Sequence, residues 1–328
     1  MNPLSSIESG LIRATGQLLA RRGARASLLV LIYHRVLAAP DAMLPSEPDA
    51  ASFAQQMDLL AGNFVVLPLR EGVARLRGGK LPARAVCITF DDGYANNYTV
   101  ALPILRERGL PATVFVAPAY LDGGCMFNDT IFEACRTAPE QVDLSQFGLG
   151  PLALTDAASR IRAAQQIVDQ WKYLPPVERR QRAEQFSMLV GAAPNTDLMM
   201  TADQVAQMPA HDIEIGAHTL THPILARLPV DEAREEIVGS RRRLEDITGQ
   251  PILSFAYPNG RPQRDYTREH VSAAREAGFE LAVSTSWGAA TAQSDPHQIP
   301  RIAPWDKSPL RYAARMVNAY RQREFACV

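Results

Sequence analysis

Six short, largely apolar runs, rich in Val, Ile and Phe and bounded by turn residues, constrain this chain more than any other feature. They are Leu28–Tyr33, Val86–Phe90, Ala112–Val116, Ile213–Ala217, Ile252–Tyr257 and Leu281–Thr285. Phe64–Leu67 and Ile299–Ile302 repeat the pattern more faintly. Runs of this length and make-up read as buried strands. Between them lie helical patterns. Asp231–Thr248 sets Ala233, Ile237, Leu244 and Ile247 on one face and stops at Gly249, with Glu232, Glu235 and Glu236 near its start, as the helix dipole prefers. Thr267–Ala277 stops at Gly278, and Tyr98–Arg108, with a kink expected at Pro103, stops at Gly109. Strands alternating with helices predict a parallel sheet with crossover helices. Seven or eight strands in about 250 residues fit an α/β fold of the closed or nearly closed (β/α) barrel kind, with a doubly wound open sheet as the other arrangement.

Residues 122–200 break the alternation. Ala157, Ile161, Ala164, Val168 and Trp171 recur at helical spacing, Pro175 and Pro176 interrupt, and a second pattern runs through Val177, Phe186 and Leu189. The expected organisation is therefore a helical extension over 1–27, a barrel over 28–305 with a helical insertion at 122–200, and a C-terminal helix over 306–328.

At 328 residues the chain can bury a full core. Its 47% hydrophobic and 21% charged residues are those of a folded soluble protein, and a net charge of −1 gives no reason to expect nucleic acid. Leu28–Tyr33 is far short of the ~20 apolar residues of a spanning helix. It is also badly flanked for an export signal, despite Arg21, Arg22 and Arg25 before it. Cys87, Cys125, Cys135 and Cys327 show no framework spacing, so a reduced, cytoplasmic protein without transmembrane segments is expected.

Two motifs carry chemistry. Thr89-Phe90-Asp91-Asp92-Gly93-Tyr94 follows a strand directly, placing two carboxylates where parallel α/β folds build their sites, although a polar turn would read the same way. His218-Thr219-Leu220-Thr221-His222 follows another strand, and histidines at i, i+4 reach one metal if the segment forms a helical turn. Together they supply one Asp and two His. That set suits zinc or another borderline divalent ion and leaves a position open for water, while the second carboxylate is free to act as base.

On these motifs the chain resembles the polysaccharide deacetylases of the NodB-homology type, grouped as carbohydrate esterase family 4. The resemblance spans roughly residues 28–305 apart from the insertion. It implies a distorted (β/α) barrel of about seven strands, with Asp91 as general base, Asp92, His218 and His222 as metal ligands, and Thr219 and Thr221 supporting the histidine loop. In many members the segment equivalent to Phe255-Ala256-Tyr257-Pro258-Asn259-Gly260 reads Arg-x-Pro-Tyr-Gly, in which the Arg braces the catalytic Asp and a backbone N–H binds the oxyanion. Here Ala256 stands for the Arg and Asn259 for the Tyr. Tyr257, Pro258 and Asn259 are then the oxyanion and substrate candidates, and Arg301 is the candidate replacement brace. The family's late Leu-x-His acid is not evident. His34, after the first strand, is preferred over His297 for that role because it follows a strand's C-terminal end. His211 and His270 read as surface residues, and Asp129 as part of a polar turn.

The expected activity is metal-dependent removal of N-acetyl groups from an amino sugar, with zinc, cobalt, nickel or iron as the ion and an N-acetylated sugar or oligosaccharide as partner. A hydrolase of another amide or O-acetyl ester, or a non-catalytic carbohydrate-binding relative, stands as the alternative.

Overall fold

The computed structural model describes residues 4–20, 23–303 and 306–328. Arg21, Arg22 and the expected end of the barrel at 305 lie outside the described residues. Two compact units emerge: Met1–Ala39, Ser46–Ala119 and Met200–Val328 form the first, and Pro40–Pro45 with Tyr120–Met199 form the second.

The first unit opens with α1 (Ser6–Ala20) and β1 (Leu29–Tyr33), followed by α2 (Ala50–Asn63), β2 (Val65–Val66), α3 (Leu69–Arg77), β3 (Ala85–Phe90), α4 (Leu102–Glu107) and β4 (Ala112–Val116). The second unit then interposes α5 (Phe127–Thr137), a hairpin of β5 (Gln141–Asp143) and β6 (Pro151–Ala153), α6 (Ala157–Trp171) and α7 (Pro176–Leu189). The first unit resumes with α8 (Ala202–Gln207), β7 (Ile213–Ala217), α9 (Val230–Thr248), β8 (Ser254–Ala256), α10 (Arg268–Glu276), β9 (Leu281–Val283) and α11 (Pro309–Ala319).

The first unit's seven strands form one parallel sheet in the order β1-β3-β4-β7-β8-β9, with β2 also on β3. Ile299 bridges to Val283 of β9 and Ile302 to Leu31 of β1, so the segment 299–302 joins the sheet's two edges. It was expected to be a strand. It makes single bridges instead, since Pro300 has no N–H to give a ladder. The curled parallel sheet is a distorted (β/α) barrel. The kink expected at Pro103 is absorbed differently: a π-helical turn over Asn97–Ala101 leads directly into α4, with the proline in the first turn of α4. Gly249, left-handed at φ 64°, ends α9 as the sequence suggested.

Side chains inside the barrel are close-fitted. A methyl added at Gly216 would meet the Phe115 ring and the Ser254 hydroxyl. In the second unit, Trp171, Phe186, Ile131 and Phe147 form a separate core, with Phe147 edge-on to Trp171 at 5.4 Å. Val177 and Leu189, expected on the packed face of α7, are exposed, and Ala183 and Phe186 do the packing.

Glu214 on β7 stands in register with Thr113 of β4 and accepts from Ser254 Oγ at 2.8 Å. Burial pushes its carboxyl from an ordinary 4.5 up to about 7. The folded state therefore holds a proton that the unfolded chain has released between those two values, and stability falls as pH rises through that window. Glu214→Gln removes the titrating group. Thermal melts from pH 4.5 to 7 should show a flatter profile than wild type, with the variant the more stable above pH 7. Parallel profiles for the two proteins would show that the carboxyl is not held as described.

Candidate active site

Asp91, Asp92 and His218 sit just beyond the C-terminal ends of β3 and β7, with His222 on the loop that follows, where the ladder hydrogen bonds run out and side chains turn to the barrel mouth. The Asp91 amide still donates to Tyr33 O at the end of β1 (2.9 Å), and that of His218 to Val116 O at the end of β4 (3.0 Å). Between these anchors the chain bends sharply, with Asp92 at φ 76° and Gly93 at φ 88°. The bend turns both carboxylates inward, and both are buried. His218 Nε2 lies 3.4 Å and His222 Nε2 3.5 Å from Asp92 Oδ1. One ligand atom from each of Asp92, His218 and His222 falls within 4.8 Å of the others.

The histidine segment is not the helical turn that its spacing suggested. Thr219 (φ 61°) and His222 (φ 52°) adopt left-handed backbone, which throws both rings to one side of a loop. Thr219 Oγ1 donates to His218 O and accepts from the His222 N–H at 3.1 Å, bridging the two histidines. Thr221 is held from outside: its N–H and hydroxyl donate to the two carboxylate oxygens of Glu236 on α9, at 2.8 and 2.6 Å. His218 Nδ1–H donates to Ala256 O (2.8 Å), so the Nε2 lone pair faces Asp92.

Arg301 is 1% exposed and spends every nitrogen. Nη1 and Nη2 donate to Asp91 Oδ1 and Oδ2 at 2.6 and 2.7 Å. Nη1 also reaches Thr89 Oγ1 (3.2 Å), and Nε reaches Ser284 O (3.0 Å). Burial works to raise the Asp91 carboxyl, but Arg301 and His218 outweigh it and hold the group below its usual range. Asp92 is likewise held low against burial, by His218, His222 and His34.

His34 is exposed, its carbonyl accepting from Asn97 Nδ2, and its charge bears on both carboxylates. His297 is elsewhere. Its Nε2 pairs with Phe279 O, which precedes β9, so it lies at the opposite end of the strand. In the third motif only Asn259 keeps an uncommitted amide. Tyr257 N–H is used by Val283 O, its hydroxyl by His297 O, and Pro258 has none. Tyr257 is fully buried and stacked on Tyr266, which removes it from direct substrate contact. His270 is not on the surface either: its Nδ1 accepts from the Thr267 N–H and caps α10 from a buried position. Asp129 is buried in the first turn of α5 rather than in an open turn.

Residues 78–144 and 158–282 match the model of the family described as polysaccharide deacetylase. The chain belongs to the polysaccharide deacetylase family. The matched ranges include Asp91, Asp92, His218 and His222, whereas His34 and Arg301 lie outside them. The chain is similar to YxkH of Bacillus subtilis (strain 168), itself only provisionally named a polysaccharide deacetylase, with 22% identity over 279 residues, 84% of this chain and 71% of that protein. Among solved structures it is similar to the Streptococcus pyogenes deacetylase PplD in complex with acetate, at TM-score 0.59 and 20% identity over 89% of this chain and 98% of that one. It is also similar to IcaB from Ammonifex degensii, at TM-score 0.58 and 20% identity over 90% and 98%. At those identities the likeness establishes the NodB-like fold.

For this polysaccharide deacetylase two substitutions test the site's supports. Arg301→Met strands a buried carboxylate and should cost about 3–5 kcal/mol. Urea unfolding at neutral pH measures it, and a loss under about 1 kcal/mol would mean the pair is not buried as described. Glu236→Ala frees the Thr221 loop, and whatever affinity the cluster of Asp92, His218 and His222 has for added zinc should fall by about 10–100-fold in calorimetric titration. Glu236→Gln, which still has one acceptor and one donor for Thr221, should keep most of that affinity.

Proposed function

We propose that the chain hydrolyses the N-acetyl group of an amino sugar, with Asp92, His218 and His222 holding a divalent ion and Asp91 acting as general base. The observation that carries this reading is the pairing of two unlike carboxylates. Asp91 is locked by Arg301, whereas Asp92 Oδ1 is buried without a hydrogen-bond partner and faces two imidazole nitrogens. A buried carboxylate oxygen left in that state is costly unless a cation completes it. One Asp and two His suit zinc, and cobalt, nickel and iron fit as well. When bound, such an ion lowers the pKa of a water toward about 7 and polarises a carbonyl.

The chain's own groups supply the rest. Arg301 fixes Asp91 in the ionised form and in one rotamer, so a proton taken from the attacking water arrives at a group already oriented. The Asn259 N–H, on a left-handed bend at φ 59°, is the free donor for the oxyanion that develops on the acyl group. His34, exposed at the rim, protonates the departing amine. Thr219 and Thr221 keep the ligand loop in shape. Family membership supports an acetylated polysaccharide or its precursor as substrate.

Acetate release from N-acetylglucosamine oligomers tests the reading, with metal-stripped protein, the same protein after zinc or cobalt is restored, and Asp91→Asn. Release should need the metal and fall by at least about 100-fold in Asp91→Asn, with a smaller loss in His34→Gln. Metal-independent release, or full activity in Asp91→Asn, would reject the mechanism. Faster turnover of an acetyl ester than of the acetamide would assign a different acyl substrate.

A further inference from the structure

Asp91 is aimed by the guanidinium that grips its carboxylate, but His34 has no such hold on its ring. The ring is exposed and makes no hydrogen bond among the described residues. Where it points therefore depends on its backbone, and the peptides on both sides of it are tied. Tyr33 O accepts from the Asp91 N–H at 2.9 Å, and His34 O accepts from Asn97 Nδ2 at 2.8 Å. The Arg35 N–H donates to Glu47 Oε2 and the Val36 N–H to Asn96 Oδ1, both at 3.3 Å. Three of these four anchors come from residues 91–97, the stretch that also carries Asp91 and Asp92.

Asn97 is the anchor that packing alone does not account for. It is 2% exposed, and its Oδ1 is buried without a hydrogen-bond partner. An unpaired buried oxygen costs about 1–3 kcal/mol, which an apolar side chain would avoid. Among the described residues the one bond its side-chain amide makes is to His34 O. The local backbone is unusual as well. The Asn97 N–H donates to Tyr94 O at 2.9 Å, and the π-helical turn starts at this residue. Such turns are frequent at functional sites. Here the consecutive Asn96 and Asn97 both reach residues 34–36, one as acceptor and the other as donor.

We infer that Asn97 is a positioning residue for the reaction: it holds the backbone that carries His34, with Asn96 as a weaker second anchor, and so sets where the proton is delivered. This rests on His34 as the acid proposed above, and it makes the stretch that bears the base also the one that fixes the acid. Acetate release from N-acetylglucosamine oligomers by the zinc-loaded full chain is compared for wild type, Asn97→Leu, Asn96→Ala, His34→Gln and the double variant His34→Gln/Asn97→Leu. Asn97→Leu should lower kcat by about tenfold with KM unchanged, and Asn96→Ala should lower it less. In the His34→Gln background Asn97→Leu should cost nothing further, because the two act as one unit. An equal loss in both backgrounds overturns the inference and leaves His34 as the acid. Full activity in His34→Gln overturns the acid assignment itself. A second readout needs no turnover. In NMR spectra of the chain with isotope-labelled histidine, the signal that vanishes in His34→Gln belongs to His34. Asn97→Leu should shift or broaden that signal and leave those of His211, His270 and His297 in place. An unmoved His34 signal overturns the inference whether or not the oligomer is hydrolysed. Should Asn97→Leu disturb every histidine signal, Asn96→Ala, at a half-buried position, is read in the same way.

Discussion

An arginine with almost no solvent contact meets a carboxylate at the end of β3 through two short hydrogen bonds, and the barrel closes around them. Taking both charges out of water costs several kcal/mol per ion, which attraction offsets only when the geometry is good and the remaining donors are filled. Here they are filled, by Thr89 and Ser284. The pair also has a topological consequence. Arg301 lies on the segment that joins β9 to β1 by single bridges, so its grip on Asp91 ties the weakest seam of the sheet to a central strand. Stability of the seam and orientation of the candidate base rest on the same contact.

Asp91, Asp92, His218 and His222 were legible in the sequence because each motif directly follows an apolar run, and a strand's end fixes where the next side chain goes. Arg301 was accessible only through the resemblance, as the nearest candidate to fill the role vacated at Ala256. Glu236 was read as a charge favoured by the helix dipole. Its hold on Thr221 depends on how α9 packs beside β7, which no local pattern encodes. The helical turn expected at His218–His222 failed because a spacing of four residues does not specify backbone angles. His270 was misplaced because its burial comes from capping its own helix. The hairpin of β5 and β6 escaped notice since strands of three residues leave almost no periodic signal.

Asp92, Thr219, His222 and Asn259 all adopt left-handed backbone without being glycine. Each such residue costs on the order of 1–3 kcal/mol, and such strain is tolerated where surrounding structure over-determines it. The hydrogen bonds from Thr219, the Glu236 clamp and the strand-end anchors at Tyr33 and Val116 are that over-determination.

The bond from His218 Nδ1 to the Ala256 carbonyl joins the histidine loop to the segment that continues into Asn259. A ring that faces Asp92 and a loop that presents a free amide are thus one mechanical body. Reshaping residues 256–260 would turn His218 as well. A single substitution between 256 and 260 therefore bears on the candidate metal cluster and on the Asn259 amide together.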